Sequence, residues 1–127
     1  MKTLTLTAFT ALLGSAAMAQ DITGDAAEGE AQFARQCVSC HVIANDAGEV
    51  LAGRNGKIGP NLHGVIGRTP GAVEDFRYKK SIEEAREKGL VWDEASFEAY
   101  VQDPTGFLRE YLDDNGARSG MTFKLRE

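Results

Sequence analysis

The chain has 127 residues, with 14 Lys or Arg against 19 Asp or Glu and a formal net charge of −5. A chain of this length makes one domain, and its acidic balance argues against nucleic-acid binding, because little positive charge is available to meet a polyanion. Its two cysteines are three positions apart, so a disulfide between them would join no distant segments.

Residues 1–19 predict a cleaved secretion signal. Lys2 supplies the positive start, an apolar stretch follows, and Ala17-Met18-Ala19 places small residues where signal peptidase requires them. The apolar stretch is too short to span a bilayer, and no later segment approaches that length. We expect residues 20–127 to form one periplasmic domain without membrane insertion.

The first helix is predicted from Asp25 to Gln36, with Asp25 as its cap and Glu28 at the capping-box position. Residues 48–71 hold seven glycines in 24 positions, which favours compact loops over helix or sheet. Disorder is the alternative, and the apolar residues of this stretch weaken it. So much loop in a small helical domain indicates a large apolar group at the centre.

Three further helices are predicted downstream. The second runs from Ser81, as cap, to Lys88, with Gly89 as its stop. The third starts at Asp93 and ends before Pro104, and the fourth is capped by Asp103 with Pro104 at its first position. Because no run alternates polar and apolar residues, the predicted fold class is all-α.

The strongest chemical signal is Cys37-Val38-Ser39-Cys40-His41, a CxxCH motif for covalent haem attachment. Two thiols at this spacing add to the two vinyl groups of one porphyrin, and the adjacent histidine then lies under the iron. A structural zinc site needs four ligands, and only His63 remains to join these three. A thioredoxin-like redox pair is a further alternative, but it needs a βαβ setting, which the sequence does not predict.

Met121 is the candidate for the second axial ligand. The other methionines, Met1 and Met18, belong to the predicted signal, so Met121 is the only thioether in the mature chain. It follows Gly120 in a polar, turn-like segment, where a core role is less expected than for most methionines. His63 is the competing ligand, although its closeness in sequence to His41 favours a role on a surface loop.

The sequence resembles class I cytochromes c, in particular the bacterial cytochromes c2 of purple phototrophs. The resemblance covers nearly all of the mature chain, through Gly29 to Phe33, CVSCH, GPNLHGVIGRTPG, FRYKKS, GLVWDEASFEAYVQDP, FLREYLDD and GARSGMTFKL. It implies the class I cytochrome c fold, with short helices and glycine-rich loops wrapped around one haem c. The haem would be bound through Cys37 and Cys40, with His41 and Met121 on its iron.

The resemblance also implies roles around the haem. Pro60 resembles the proline whose carbonyl accepts the ring proton of the proximal histidine. Tyr100 resembles the tyrosine that donates to the methionine sulfur, and Phe123 resembles the aromatic beside the exposed haem edge. Four residues match positions that hydrogen-bond the haem propionates: Arg68, Tyr78, Trp92 and Ser119.

The function implied by the resemblance is electron transport, not enzymatic catalysis. A monomeric periplasmic carrier would take single electrons from a cytochrome bc complex and pass them to a photosynthetic reaction centre or a terminal oxidase. Docking would be transient and electrostatic, through the bases that frame the haem edge: Arg35, Arg54, Lys57, Arg109, Arg118, Lys124 and Arg126. The alternative is a small haem enzyme or gas sensor in which Met121 leaves the iron open.

The sequence departs from the family pattern at its end. In class I cytochromes c a last helix follows the methionine loop and crosses the first helix at the positions of Gly29 and Phe33. Here the sequence stops at Glu127, so we expect that this helix is missing and that the sequence is a fragment.

Overall fold

The computed structural model describes residues 22–126. The predicted signal, residues 1–19, and Glu127 lie outside the described residues. The elements in chain order are α1 (Ala26–Gln36), β1 (Val42–Ala44), β2 (Val50–Gly53), α2 (Lys80–Glu87), α3 (Glu94–Gln102) and α4 (Pro104–Leu112). No helix within residues 22–126 has both the length and the apolar character needed to cross a membrane.

Three of the four helices begin at the predicted caps. The Asp25 carboxylate accepts the backbone N–H of Glu28, in the first turn of α1, at 2.9 Å. Asp93 and Ser96 form a reciprocal capping box at the start of α3. Asp103 caps α4, whose first residue is Pro104, as predicted. Each cap satisfies backbone donors that have no partner inside the helix, which explains why these starts could be read from the sequence.

The prediction for the start of α2 is wrong. The helix begins at Lys80, its cap position is Lys79 rather than Ser81, and no side chain among the described residues caps it. Ser81 lies inside the helix at 8% exposure, and its hydroxyl accepts the backbone N–H of Arg118 at 3.1 Å. The hydroxyl is therefore used in a tertiary contact rather than a cap. The predicted stop is confirmed, because Gly89 has a positive φ of 95° directly after the helix.

A short antiparallel hairpin adds a two-stranded sheet to the mainly helical fold. Val42 pairs with Gly53 and Ala44 with Val50, with an irregularity between Ile43 and Ala44. The connecting turn is closed by the Asn45 side chain, whose carbonyl oxygen accepts backbone N–H groups at 3.0 and 3.1 Å. The all-α class is confirmed, and the hairpin is a local addition whose second strand lies within the predicted loop region, residues 48–71.

The core lies between α2, α3, α4 and the segment that follows α4. Its buried members are Ile82, Ala85, Leu90, Trp92, Leu108 and Ala117. Aromatic side chains of α3 and α4 pack around Trp92, with Tyr100 at 4.9 Å and Phe107 at 5.9 Å between ring centroids.

By contrast, α1 buries no residue. Its start is held to α3 by the Glu94 carboxylate, which accepts the N–H groups of Thr23 and Gly24 and the Thr23 hydroxyl. A Cβ placed on Gly29 meets no atom within 4 Å among the described residues. The expected helix against this face of α1 stays a prediction.

Candidate haem-binding site

The turn after α1 carries the CxxCH residues. Cys37 ends the helix by donating its N–H to the Phe33 carbonyl at 2.9 Å, and its own carbonyl accepts from Cys40 and His41 at 3.1 and 2.9 Å. This tight turn brings the two thiols and the imidazole onto one short segment, and His41 is buried at 9% exposure. The motif is therefore compact enough to hold one edge of a single planar group.

The His41 ring is fixed in one tautomer. Its Nδ1 lies 2.8 Å from the Pro60 carbonyl oxygen. Because a carbonyl only accepts, Nδ1 carries the proton and Nε2 keeps a lone pair, which is the form that binds a metal. Sharing the Nδ1 proton with a carbonyl also makes the imidazole a more electron-rich ligand.

Gly59 fixes the plane of the same ring. A Cβ at this position would lie 2.6 Å from Nδ1 and 2.7 Å from Nε2 of His41, far inside normal contact distance. The backbone of residues 59 and 60 can therefore pack against the imidazole only with glycine at this position. The Gly59 N–H also donates to the Cys40 carbonyl at 2.7 Å, which ties this loop to the CxxCH turn.

Both cysteines are free and partly buried. Burial, and secondarily the neighbouring Cys40, raises the pKa of the Cys37 thiol. A protonated thiol has both the sulfur and the hydrogen that add across a vinyl double bond. Among residues 22–126, no three His, Cys, Asp or Glu side chains gather as a metal cluster.

Met121 lies in a loop that is tied to α3 and α4. Its N–H donates to the Ser119 hydroxyl at 3.0 Å, and that hydroxyl lies 2.7 Å from the Tyr100 hydroxyl on α3. The Ser119 N–H donates to the Thr105 hydroxyl on α4 at 3.2 Å. The side chain of Met121 is half-buried. Hydrogen bonds to two helices thus set where this thioether lies.

Tyr100 is brought close to the methionine loop, as the resemblance implies, but its nearest polar partner is Ser119. Burial raises the pKa of Tyr100, with the Ser119 hydrogen bond opposing the shift. The phenol therefore stays protonated at neutral pH and keeps a proton to donate. Donation to the Met121 sulfur stays a prediction.

Two of the predicted propionate ligands, Arg68 and Trp92, lie on backbone segments that hydrogen-bond to each other. The Arg68 guanidinium donates to the carbonyls of His63 and Asn61 at 3.0 and 2.9 Å. Two of its N–H groups therefore stabilise the loop that contains these residues. The Arg68 carbonyl accepts the N–H of Trp92 at 2.9 Å, and Trp92 is 6% exposed. Two backbone segments are thereby joined beside the core.

Tyr78 and Phe123 differ in their surroundings. The Tyr78 hydroxyl accepts the Val73 N–H at 3.4 Å, and burial raises the pKa of Tyr78, so its own proton stays available for donation. Phe123 is 42% exposed, as expected of an aromatic at the edge of a site. The propionate and haem-edge roles stay predictions.

These residues fit a haem c. One histidine presents a free Nε2, two unpaired thiols flank the same turn, and a lone thioether lies on a separately anchored loop. When bound, the haem supplies the one-electron iron couple. Cys37 and Cys40 would attach it, and the Pro60 carbonyl holds the His41 imidazole in the tautomer that binds a metal; ligation by Met121 stays a prediction.

Comparison with known proteins decides the family. The chain is 58% identical over 107 residues to cytochrome c2 of Rhodovulum adriaticum, covering 84% of each sequence. It is 50% identical over 123 residues to cytochrome c2 of Cereibacter sphaeroides, covering 96% of this chain and 83% of that one. The chain belongs to the cytochrome c2 family. No protein-family model matches it.

Solved structures agree with this cytochrome c2 assignment. The crystal structure of cytochrome c2 from Rhodobacter sphaeroides matches with a TM-score of 0.79 and 53% identity, over 82% of this chain and 85% of that one. Cytochrome c2 from Paracoccus denitrificans matches with a TM-score of 0.76 and 44% identity, over 80% and 84%. The chain is therefore a class I cytochrome c, an electron carrier rather than an enzyme, with one covalently bound haem c.

Sequence reasoning missed the residues that hold the methionine loop from outside it. Thr105 and Ser81 accept the backbone N–H groups of Ser119 and Arg118, and the Arg109 Nε donates to the Ala117 carbonyl at 3.2 Å. These contacts join positions 8 to 37 residues apart. No local pattern marks them, because serine, threonine and arginine at these places are also ordinary surface residues of a helix.

Proposed function

We propose that this protein is a soluble periplasmic carrier that takes one electron from a cytochrome bc complex and delivers it to a photosynthetic reaction centre or a terminal oxidase. The observation that carries the proposal is the His41 imidazole, buried and held through Nδ1 by Pro60 at 2.8 Å. A ligand fixed in this way moves little when the iron changes charge, which suits transfer of an electron without bond making.

Met121 completes the proposal as the second axial ligand. A soft thioether favours ferrous iron and raises the potential relative to two histidines. With both axial positions filled by protein, no position is left for a substrate or a gas. The tied loop of Met121 supports this reading, because a thioether on a mobile loop would leave the iron open.

Docking would use exposed bases near the site. Lys57 is exposed, two residues before the Gly59 loop. Two of the other predicted bases are not equivalent to it, since Lys124 is 2.7 Å from Asp103 and Arg109 donates to a carbonyl. On a chain with net charge −5, a local basic surface would orient encounters with an acidic partner and speed association more than it strengthens binding.

The test uses the haem-loaded protein with a purified cytochrome bc complex and quinol, then with a flash-activated reaction centre or an oxidase. We expect the cytochrome bc complex to reduce the protein rapidly, and either the reaction centre or the oxidase to oxidise it. Failure with the bc complex, or with every acceptor, contradicts the proposed partners. Carbon monoxide binding by the reduced wild-type protein would indicate an open iron position, and Met121→Ala supplies the positive control.

A further inference from the structure

The chain after Met121 is anchored to the junction between α3 and α4. The Lys124 ammonium lies 2.7 Å from the Asp103 carboxylate, and the adjacent Leu125 N–H donates to the Val101 carbonyl at 2.8 Å. Asp103 is the residue that separates the two helices. The far end of the methionine loop is therefore tied to the same pair of helices as its near end.

Asp103 makes two contacts with one oxygen. The Oδ1 atom that meets Lys124 also accepts the Gly106 N–H at 3.1 Å as the cap of α4. The hydrogen bond from Lys124, then that from Gly106, lowers the pKa of this carboxyl, so it is charged at neutral pH. A carboxylate already held by a helix start loses little further freedom when it binds the lysine.

The two anchors enclose Met121. On one side Ser119 is bonded to Tyr100 and Thr105, and on the other Lys124 is bonded to Asp103. Only three positions separate Met121 from Lys124, so release of this lysine would weaken the anchor at one end of the segment that carries the thioether, while the Leu125 hydrogen bond to the Val101 carbonyl stays.

We propose that the Asp103–Lys124 ion pair is a positioning contact that keeps Met121 on the haem iron. The inference rests on Met121 being the axial ligand. The pair does not touch the iron; it slows departure of the thioether by holding the chain that follows it. Lys124 thereby acts within the site rather than as an independent docking base.

The size of the effect follows from exposure. The two side chains are 46% and 50% exposed, and exposed ion pairs are weak because water screens them. Loss of the pair should therefore raise the apparent affinity of a competing iron ligand by about two- to fivefold, not by orders of magnitude.

The experiment titrates the oxidised, haem-loaded protein with imidazole, which competes with Met121 for the iron, and follows loss of the long-wavelength sulfur-to-iron band. Lys124→Gln removes one charge of the pair. Asp103→Asn removes the other and keeps a good helix cap. Each substitution should raise the imidazole affinity by about two- to fivefold, and the double variant should show no larger effect than either alone, because both remove the same contact.

Lys80→Gln is the matched control. Lys80 forms an exposed ion pair with Glu84 at 2.6 Å within α2, so its loss should leave imidazole affinity unchanged. If the pair only stabilises the fold, the Lys124 and Asp103 variants will denature earlier with unchanged imidazole affinity, and the inference is overturned. Effects that multiply in the double variant overturn it as well. Absence of the sulfur band in the wild type instead refutes ligation by Met121, and the positioning role with it.

Discussion

Gly59→Ala adds only a methyl group, but it should displace the His41 imidazole or the backbone beside it. The added methyl would lie 2.6 Å from Nδ1 of His41, whereas normal contacts are 3.4 Å or longer. The ring or the 59–60 backbone must therefore move by close to an ångström. Because Nδ1 is also bonded to the Pro60 carbonyl at 2.8 Å, the movement stretches or breaks that hydrogen bond.

The expected cost combines two effects. Forcing a methyl into a filled space typically costs about 1–3 kcal/mol, and loss of one hydrogen bond costs about 0.5–1.5 kcal/mol. Together they predict a fall of about 2–4 kcal/mol in the free energy of unfolding. The reduction potential should rise, because an imidazole that no longer shares its proton with a carbonyl is a poorer donor to ferric iron.

The assay is guanidinium denaturation of the oxidised, haem-loaded protein, followed by its visible spectrum, with a redox titration beside it. Gly29→Ala is the control, since a Cβ there meets no atom of residues 22–126 within 4 Å and the residue lies in α1. That variant should be more stable by about 0.5–1 kcal/mol, from helix propensity alone. A Gly59→Ala protein with wild-type stability and potential would refute the argument that this glycine sets the position of His41.

Two further predictions concern the far ligand and docking. Met121→Ala should abolish the sulfur-to-iron band and lower the potential, whereas His63→Ala should leave both unchanged; the reverse pattern would make His63 the ligand. Lys57→Gln should slow electron transfer to an acidic-faced reaction centre or oxidase, and the wild-type rate should fall as salt screens charges over about 10 Å at 0.1 M. Lys80→Gln, with the same charge change in α2, should slow it less, and a wild-type rate that is flat or rises with salt would refute a basic docking face.

The parts of the fold that the sequence predicted are those that local chemistry decides. Asp25, Asp93 and Asp103 cap helices through hydrogen bonds that span three residues, so their patterns are readable in the sequence. Ser81 has the same local pattern, but its hydroxyl accepts the backbone N–H of Arg118, 37 positions away. That competition between local and tertiary bonding cannot be resolved from the sequence.

The hairpin was missed for a different reason. Its strands, Val42–Ala44 and Val50–Gly53, have three and four residues, which is too short for alternation of polar and apolar side chains to show. Their pairing depends instead on Asn45, which closes the turn with its side chain. Within the site, the CxxCH motif identified the haem from chemistry alone, whereas the 2.8 Å contact of His41 with Pro60 joins segments that only the fold brings together.

The carboxylate of Glu94 closes one long loop of the chain, from Thr23 to Glu94. It accepts the backbone N–H of Thr23, 71 positions earlier. The loop closed by this contact contains Cys37, Cys40 and His41. The contact is exposed, so water competes for its hydrogen bonds. Hydrogen bonds from Thr23 lower the pKa of Glu94. The contribution of the Thr23–Glu94 contact to stability is therefore present above the ordinary carboxyl pKa. It is lost as the pH falls through the lowered value. Acid below the ordinary carboxyl range would therefore release the start of α1 while the aromatic packing around Trp92 stays in place.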